Sequence, residues 1–299
     1  MPGPSVLKGG ATEVVLPPGA GLPGIAKALD QAHVIRSQAA FMAAAVITGG
    51  ARHLKAGEYE FPSGASLIQI VSAIQRGAVL RHFITIPEGY TSREVVDVLR
   101  AAAFLTGPVQ LPPEGGLLPE TYEVRRGDTR MGLVSRMATA RRDLLMQLWS
   151  RRISGLPYET SRQAVILASV VEKETAKPEE RPRIAAVFIN RLKKGMRLES
   201  DPTVIYAVSG GVPLGHGLRV SELASPSPYN TYRFLGLPPT PIGNPGRAAL
   251  TAALNPARTE DLFFVADGFG GHVFASTFEV HKRNVAHWRK IEQRSGPST

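Results

Sequence analysis

The strongest structural signal in the chain is the stretch TSRQAVILASVVEKET at residues 160–175. Either Thr160 or Ser161 can begin a helix here, because a hydroxyl at the N-cap position accepts a hydrogen bond from a free backbone N–H group. The helix must end before Pro178, since a proline disfavours helical backbone in the residue that precedes it. Its residues are apolar on nearly every face, which is typical of a buried helix. We therefore predict a helix buried in the core of the carboxyl-terminal half.

Two glutamates near the end of this helix are unusual for so apolar a segment, because a carboxylate beside a core usually has a partner or a function. At about 100° per residue, Glu172 and Glu174 point roughly 200° apart, so they cannot form one carboxylate pair. Glu172 shares its face with the small residues Ala168 and Ser169, which leave room for a ligand, whereas Glu174 lies beside larger apolar residues. The alternative is that both acids pair with nearby arginines such as Arg181 and Arg183.

The amino-terminal half repeats one short pattern four times. A β-rich run is followed by a Pro-x-Gly turn, and apolar residues then stand six and ten positions after the glycine. The four glycines are Gly19, Gly64, Gly89 and Gly127, and the last copy has Arg125 in place of the proline. Because residues four apart share a helix face, the pattern predicts strand, tight turn and helix. In the third copy, Thr91 or Ser92 can cap the helix, with Glu94 in its first turn. Both a true duplication and the ordinary repetition of an α/β domain explain the pattern.

The fourth copy resembles a known carbohydrate-binding module. Its sequence, YEVRRGDTRMGLVSRM at residues 122–137, is similar to the opening of LysM modules, which runs Tyr-x-Val-x-x-Gly-Asp-Thr. LysM modules bind glycans that contain N-acetylglucosamine. The resemblance therefore implies binding to peptidoglycan or chitin.

Composition narrows the class of protein. The 299 residues are 43% hydrophobic and carry 35 basic and 25 acidic side chains, a net charge of +10. Such a chain folds around a core and tends to meet anions: nucleic acid, anionic lipid or a carboxylate-bearing polymer such as bacterial cell wall. The absence of cysteine excludes disulfides, thiolate zinc sites and cysteine nucleophiles. We find no sequence motif for a metal or a nucleotide, and we expect no cofactor.

Membrane and export signals are missing from the chain as written. The longest apolar stretch, AAFMAAAVIT at residues 39–48, is too short for a bilayer, which requires about 20 residues. The first ten residues, MPGPSVLKGG, lack a charged segment followed by an apolar one, so they do not form a secretion signal.

Loop-rich segments suggest the domain boundaries. Residues 107–119 are rich in proline and glycine, a basic helical stretch follows at 131–153, and Gly155-Leu156-Pro157 ends it. We expect an N-terminal LysM-like α/β region at residues 1–82. An intermediate strand-turn-helix region with the basic helix covers residues 83–155, and a catalytic domain covers residues 156–299.

Seven motifs of the carboxyl-terminal half, in this order, closely resemble the YceG-like family of endolytic murein transglycosylases (MltG). They are VEKET (171–175), VFINRL (187–192), SDPTVIYA (200–207), YNTY (229–232), GLPPTPIGNPG (236–246), LNPA (254–257) and FFVADGFGGHVFA (263–275). IPEGYTSREVVDVL (86–99) and LLPETYEV (117–124) also look like family segments. The resemblance implies an α+β protein in which a LysM-like α/β N-terminal region precedes an α+β lytic transglycosylase domain.

The resemblance also implies a reaction. Lytic transglycosylases cut the bond between N-acetylmuramic acid and N-acetylglucosamine without water, and the muramyl C6 hydroxyl attacks C1 to leave a 1,6-anhydro end. One carboxyl group can act first as acid and then as base, so the second carboxylate of hydrolases is unnecessary. Burial raises the pKa of such an acid toward working pH. As carried over from the family, the catalytic acid is Glu172. Helix periodicity alone does not exclude Glu174, which is the second candidate acid.

The resemblance further makes Asp201, Tyr229, Asn230 and Thr231 residues of a substrate cleft. Each of them could equally stabilise a turn, as an aspartate before a proline commonly does. His272, in the GGHVFA stretch, is a further candidate for a substrate hydrogen bond, although a lone histidine in a β-rich segment is more often structural.

The implied partners are peptidoglycan glycan strands and peptidoglycan synthases (penicillin-binding proteins). Family members carry an N-terminal transmembrane helix, so we expect a single-pass inner-membrane protein with a periplasmic catalytic domain, its anchor lying N-terminal to this chain. Two rival hypotheses are a non-catalytic peptidoglycan-binding protein and a muramidase that hydrolyses the same bond. Nucleic-acid binding depends on the net charge of +10 alone, and no nucleic-acid partner is expected.

Overall fold

The computed structural model describes residues 10–295, where helices and small two-stranded sheets alternate as an α+β protein. The strands are β1 Ala11–Leu16, β2 Gly57–Pro62, β3 His82–Thr85, β4 Thr121–Val124, β5 Phe263–Ala266 and β6 His272–Ala275. The helices are α1 Leu22–Gln31, α2 Gln38–Ile47, α3 Leu67–Arg76, α4 Ser92–Ala101, α5 Arg130–Ser150, α6 Ser161–Glu174, α7 Arg181–Lys193, α8 Asp201–Ser209, α9 Val220–Leu223, α10 Arg247–Leu254 and α11 Phe278–Ser295. The predicted mixture of helices and small sheets is confirmed.

All four predicted strand-turn-helix units are present. They are β1 with α1, β2 with α3, β3 with α4, and β4 with α5. The four turn glycines have φ between 77° and 94°, a backbone conformation that a side chain would strain. The apolar residues at the predicted spacing are buried on the inner face of each helix: Ile25, Leu29, Ile70, Ile74, Val95, Leu99, Leu133 and Met137. Thr91 caps α4, because its hydroxyl accepts from the Glu94 N–H group while the Glu94 carboxylate accepts from the Thr91 N–H group.

Contacts divide the chain into two compact units. The first contains the described part of Met1–Ile84 together with Ala102–Pro108 and Thr121–Arg130. In it, β1 and β2 pair antiparallel, and α1 to α3 contribute to a core around Phe41, Tyr59 and Phe61. Glu58 is buried there, and its carboxylate contacts the His82 ring at 2.5 Å and the Arg126 guanidinium at 2.8 Å.

The second unit contains Thr85–Ala101, Val109–Glu120 and the described part of Met131–Thr299. Its core surrounds α6, and α7 and α10 pack against that helix. Leu144 and Leu145 of α5 belong to the same core, so residues on both sides of positions 155–157 lie in one unit. The division of the chain into three consecutive regions, 1–82, 83–155 and 156–299, stays a prediction.

Helix α6 forms as its sequence predicts. The Thr160 hydroxyl accepts a hydrogen bond from the Gln163 N–H group, and the Gln163 side chain accepts in return from the Thr160 N–H group. The helix ends at Glu174, ahead of Pro178. Every residue from Ala164 to Glu172 is buried, which confirms the predicted burial. The two glutamates therefore lie at the carboxyl-terminal end of a helix that is packed inside the core.

The apolar residues 39–48 lie almost entirely in α2. In the part of the chain that the structure describes, no helix combines the length and apolar character that a bilayer crossing requires. The decapeptide MPGPSVLKGG, interpreted above as lacking a secretion signal, lies outside the described residues except for Gly10.

Candidate functional site

The two acids at the end of α6 lie in different environments, and Glu172 is held in a buried ion pair. Its Oε1 lies 2.6 Å from Nη2 of Arg181, and its Oε2 accepts a hydrogen bond of 2.7 Å from the Gly246 N–H group. Arg181 also contacts Glu88 at 2.9 Å. Only 3% of the Glu172 side chain is exposed. Both carboxylate oxygens are therefore occupied by the protein itself.

The chain's own backbone fills the space that small residues leave beside Glu172. The Ile242 N–H group donates to the Ser169 hydroxyl at 3.0 Å, and Gly246 approaches so closely that a Cβ there would overlap Glu88. The expectation that Ala168 and Ser169 leave room for a ligand is therefore wrong, because small side chains admit a neighbouring loop as readily as a substrate. The alternative interpretation, a pair with Arg181, is confirmed for Glu172.

Glu174 instead points into a cavity of about 270 Å³. The cavity is lined by Glu174, Arg191, Leu198, Glu199, Asp201, Tyr232, Phe264 and His281. These residues come from α6, α7, the α7–α8 connection, α8, the α9–α10 connection, β5 and α11. The carboxyl group thus lies where a ligand can reach it.

The surroundings of Glu174 adjust its acidity. Burial raises the pKa of Glu174 to about 7, and the negative charge of Asp201 acts in the same direction. The Ser200 hydroxyl, which donates to Oε1 at 2.5 Å, and the cation of Arg191 oppose this rise. With a pKa near neutrality, this carboxyl group can both donate and accept a proton at physiological pH.

Arg191 is a fixed, buried cation in the wall of this cavity. Its guanidinium donates to the carbonyl oxygens of Leu262 and Leu198, each at 2.7 Å, and lies 3.3 Å from the Glu199 carboxylate. Burial lowers the pKa of Arg191. Glu199 has φ 52°, a strained conformation for a residue with a side chain, and such strain commonly occurs at functional sites.

Among the predicted cleft residues, Asp201 lies at the cavity and accepts a hydrogen bond of 2.6 Å from the Tyr232 hydroxyl. Thr231 is buried and accepts from the Ser200 N–H group at 3.0 Å, so it positions the residue that contacts Glu174.

Asn230 and Tyr229 serve other contacts. The buried amide of Asn230 donates to the carbonyl oxygens of Leu223 and Ser225, which is the turn-stabilising alternative. The Tyr229 hydroxyl lies 2.8 Å from the Thr240 hydroxyl, away from the Glu174 cavity.

His272 has a structural partner. Its N–H group donates to Glu180 at 2.9 Å, and its ring Nδ1 lies 2.7 Å from the same carboxylate. This arrangement matches the structural interpretation of that histidine. Within residues 10–295, no cluster of three histidine, aspartate or glutamate side chains is arranged to hold a metal ion.

Five polar residues of the site are absent from the sequence-based set: Arg191, Glu199, Ser200, Tyr232 and His281. Arg191, Ser200 and Tyr232 stand inside the motifs VFINRL, SDPTVIYA and YNTY, and Glu199 directly precedes SDPTVIYA. A motif does not say which of its side chains point inward, and the positive φ of Glu199 is visible only in the folded chain.

A titratable carboxyl beside a fixed cation in a cavity is the kind of site that carries acid–base catalysis. The sequence matches the YceG-like family over residues 14–287, so the chain belongs to that family.

Similar proteins include an endolytic murein transglycosylase of Bacillus subtilis, 30% identical over 90% of this chain and 82% of that protein. An endolytic murein transglycosylase of Streptococcus pneumoniae is 31% identical over 78% of this chain, which spans half of that longer protein. A crystal structure of a yceG-like protein from Listeria monocytogenes, 28% identical, superimposes with a TM-score of 0.56 over 91% of this chain and 98% of that one.

We predict that Arg181→Met destabilises the fold by about 3 to 5 kcal/mol, because it leaves the Glu172 carboxylate buried without its cation. Urea unfolding followed by circular dichroism measures the change. The double variant Arg181→Met/Glu172→Gln should recover part of the loss, and a double variant as unstable as the single one would contradict the pairing.

The pKa of Glu174 predicts how stability depends on pH. A carboxyl whose pKa rises to about 7 on folding stabilises the native state below the unfolded value of 4.5, and this contribution is lost as pH rises through 7. Glu174→Gln should therefore gain stability over the wild type between pH 5 and pH 8, by roughly 3 kcal/mol at most.

Urea unfolding across this pH range measures the difference, with Glu179→Gln as control because it removes an exposed carboxyl group from the segment just after α6. A Glu174→Gln curve that runs parallel to the curve of the control would contradict the raised pKa.

Proposed function

We propose that this protein is an endolytic murein transglycosylase in which Glu174 is the single catalytic acid and base. The observation that carries the proposal is the Glu174 carboxyl group, which lines a cavity and has its pKa raised to about 7 by burial. Membership of the YceG-like family and the names of the Bacillus and Streptococcus relatives support the reaction class.

In the first step, protonated Glu174 donates its proton to the glycosidic oxygen between N-acetylmuramic acid and N-acetylglucosamine. The bond from the muramyl C1 to this oxygen breaks, and N-acetylglucosamine leaves with the new hydroxyl group. Positive charge develops at C1, where the carboxylates of Asp201 and Glu199 in the same cavity can stabilise it.

In the second step, the muramyl C6 hydroxyl attacks C1 and gives its proton to the Glu174 carboxylate. A 1,6-anhydro end forms, no water is consumed, and Glu174 is protonated again for the next cycle. A pKa near 7 suits both steps, because the group must lose and regain one proton at the same pH. Ser200, held by Thr231, orients the carboxyl group through its hydrogen bond of 2.5 Å.

Glu174 fits this role better than Glu172, the first acid of the motif. A general acid must reach the substrate oxygen within hydrogen-bond distance. Both oxygens of Glu172 contact protein groups and 3% of its side chain is exposed, whereas Glu174 borders open volume.

The remaining expectations from the family resemblance belong to the same proposal. They are a LysM-like glycan-binding role for the N-terminal α/β region at residues 1–82, a place in the cell envelope with an inner-membrane anchor, and a peptidoglycan synthase as partner. The support for the first is the fourfold strand-turn-helix pattern, which the described residues contain.

Digestion of uncrosslinked murein strands, with products separated by mass spectrometry, tests the reaction. We expect fragments that end in 1,6-anhydro-N-acetylmuramic acid and that come from within the strand. Reducing muramic ends, heavier by one water, would instead identify a muramidase. Saturable binding without turnover at any pH would identify a non-catalytic binding protein.

The same assay tests the acid. Glu174→Gln keeps the shape of the side chain but cannot supply the proton, so we expect turnover to fall by roughly a hundredfold or more. Glu172→Gln, on the opposite face of α6, is the matched comparison and should retain turnover in the fraction that folds. Loss confined to Glu172→Gln, with both variants folded by circular dichroism, would move the catalytic role to Glu172.

A further inference from the structure

A second, larger cavity lies at the other end of α6. Its volume is about 640 Å³, and its walls include Arg141 of α5, Arg162 and Ser161 of α6, and Glu114. Since α6 has 14 residues, this cavity and the Glu174 carboxyl group stand at opposite ends of the helix, roughly 20 Å apart at 1.5 Å per residue.

Two arginine side chains in the cavity wall, Arg141 and Arg162, are not paired with any acidic side chain that the structure describes. Nε of Arg141 is buried and has no hydrogen-bond partner, and burial lowers the pKa of this guanidinium. Among residues 10–295, neither Arg141 nor Arg162 forms an ion pair. A buried donor that lacks a partner costs stability, so such a group calls for an explanation, and a ligand bound in the adjoining cavity supplies one.

Glu114, the acid in the cavity wall, is directed elsewhere. Its Oε1 accepts from the Ser92 N–H group at 2.8 Å, and its Oε2 accepts from the Tyr206 hydroxyl at 3.3 Å. Burial raises the pKa of Glu114. The start of α6 adds positive potential from the helix dipole, so the cavity favours an anion.

Side chains connect the two cavities. The rings of Tyr206 and Tyr229 contact each other at a tilt of 50°, with centroids 5.1 Å apart, and Tyr229 contacts Thr240 in the wall of the larger cavity. Tyr206 belongs to α8, whose first residue, Asp201, lines the Glu174 cavity. The two rings supply flat faces of the kind on which sugar rings pack.

We propose that the cavity at Arg141 and Arg162 binds a carboxylate group of the murein strand while the strand is cleaved at Glu174. A guanidinium binds a carboxylate through two parallel hydrogen bonds, and murein carries carboxylates on its muramic lactyl groups and stem peptides. This inference depends on the proposed function, because murein is the substrate that the proposed function assigns. The site increases the affinity for the strand and determines which glycosidic bond lies at Glu174. It takes no part in bond cleavage.

Steady-state cleavage by wild type, Arg141→Gln and Arg162→Gln tests the site. The control is Arg142→Gln, which removes an equal charge from an exposed position on the same helix, 70% of its side chain being accessible. We expect each test variant to raise KM about tenfold with kcat unchanged, as loss of a charged hydrogen bond implies. Arg162 is exposed, so Arg162→Gln keeps the test informative even where Arg141→Gln fails to fold.

Three substrates identify the carboxylate. They are strands with peptide stems, strands stripped of peptides so that the lactyl carboxylates are free, and strands with their carboxyl groups converted to carboxamides. A KM effect on the first substrate alone indicates stem peptides, and an effect on the second indicates lactyl groups. An equal effect on carboxamide strands, or an equal effect of Arg142→Gln, would overturn the proposal.

A binding measurement separates this proposal from the catalytic one. Calorimetric titration of the whole wild-type protein with a free muramyl peptide should show binding that Arg141→Gln weakens about tenfold, and the carboxamide form should bind like the variant. Equal affinity of acid and carboxamide would overturn the anion site. Absence of strand cleavage with carboxylate binding intact would defeat the proposed reaction and leave the site standing.

Discussion

Helix α6 is enclosed by protein from Ala164 to Glu172, and this enclosure governs what its two glutamates can do. Each carboxylate emerges from a core that excludes water, so each must find its own compensation or stay protonated. Since the two side chains point to opposite sides of the helix, no single cation serves both. The partners come from the surrounding elements: Arg181 at the start of α7, Ser200 just before α8 and Gly246 just before α10.

The two acids meet the requirement in opposite ways. Glu172 has a cation and a backbone N–H group within hydrogen-bond distance, so it joins α6 to Arg181 and to the start of α10. Glu174 has one hydroxyl donor, Ser200, and a pKa of about 7. The less completely satisfied carboxyl group is the more useful one chemically, because a pKa near 7 lets it hold a proton and also release it at neutral pH.

The same helix relates the two cavities of the second unit. A rigid helix holds Arg162 and Glu174 at a constant separation, which a loop could not do. A polymer substrate suits such spacing, since its repeating groups can occupy one cavity while a bond is cleaved in the other. Binding energy gained far from the reacting bond can then position that bond.

The sequence by itself determined the four strand-turn-helix units of the amino-terminal half and the start, the end and the burial of α6. Pro-x-Gly turns, hydroxyl caps and the helical period act within about a dozen residues, so their signals are local. The choice between Glu172 and Glu174 was not local. Periodicity records only the direction of a side chain, whereas Gly246 and Ser200 lie 74 and 26 residues from the acids they contact. The tertiary structure alone decided which acid faces a cavity, because hydrogen bonds and desolvation depend on distance in space.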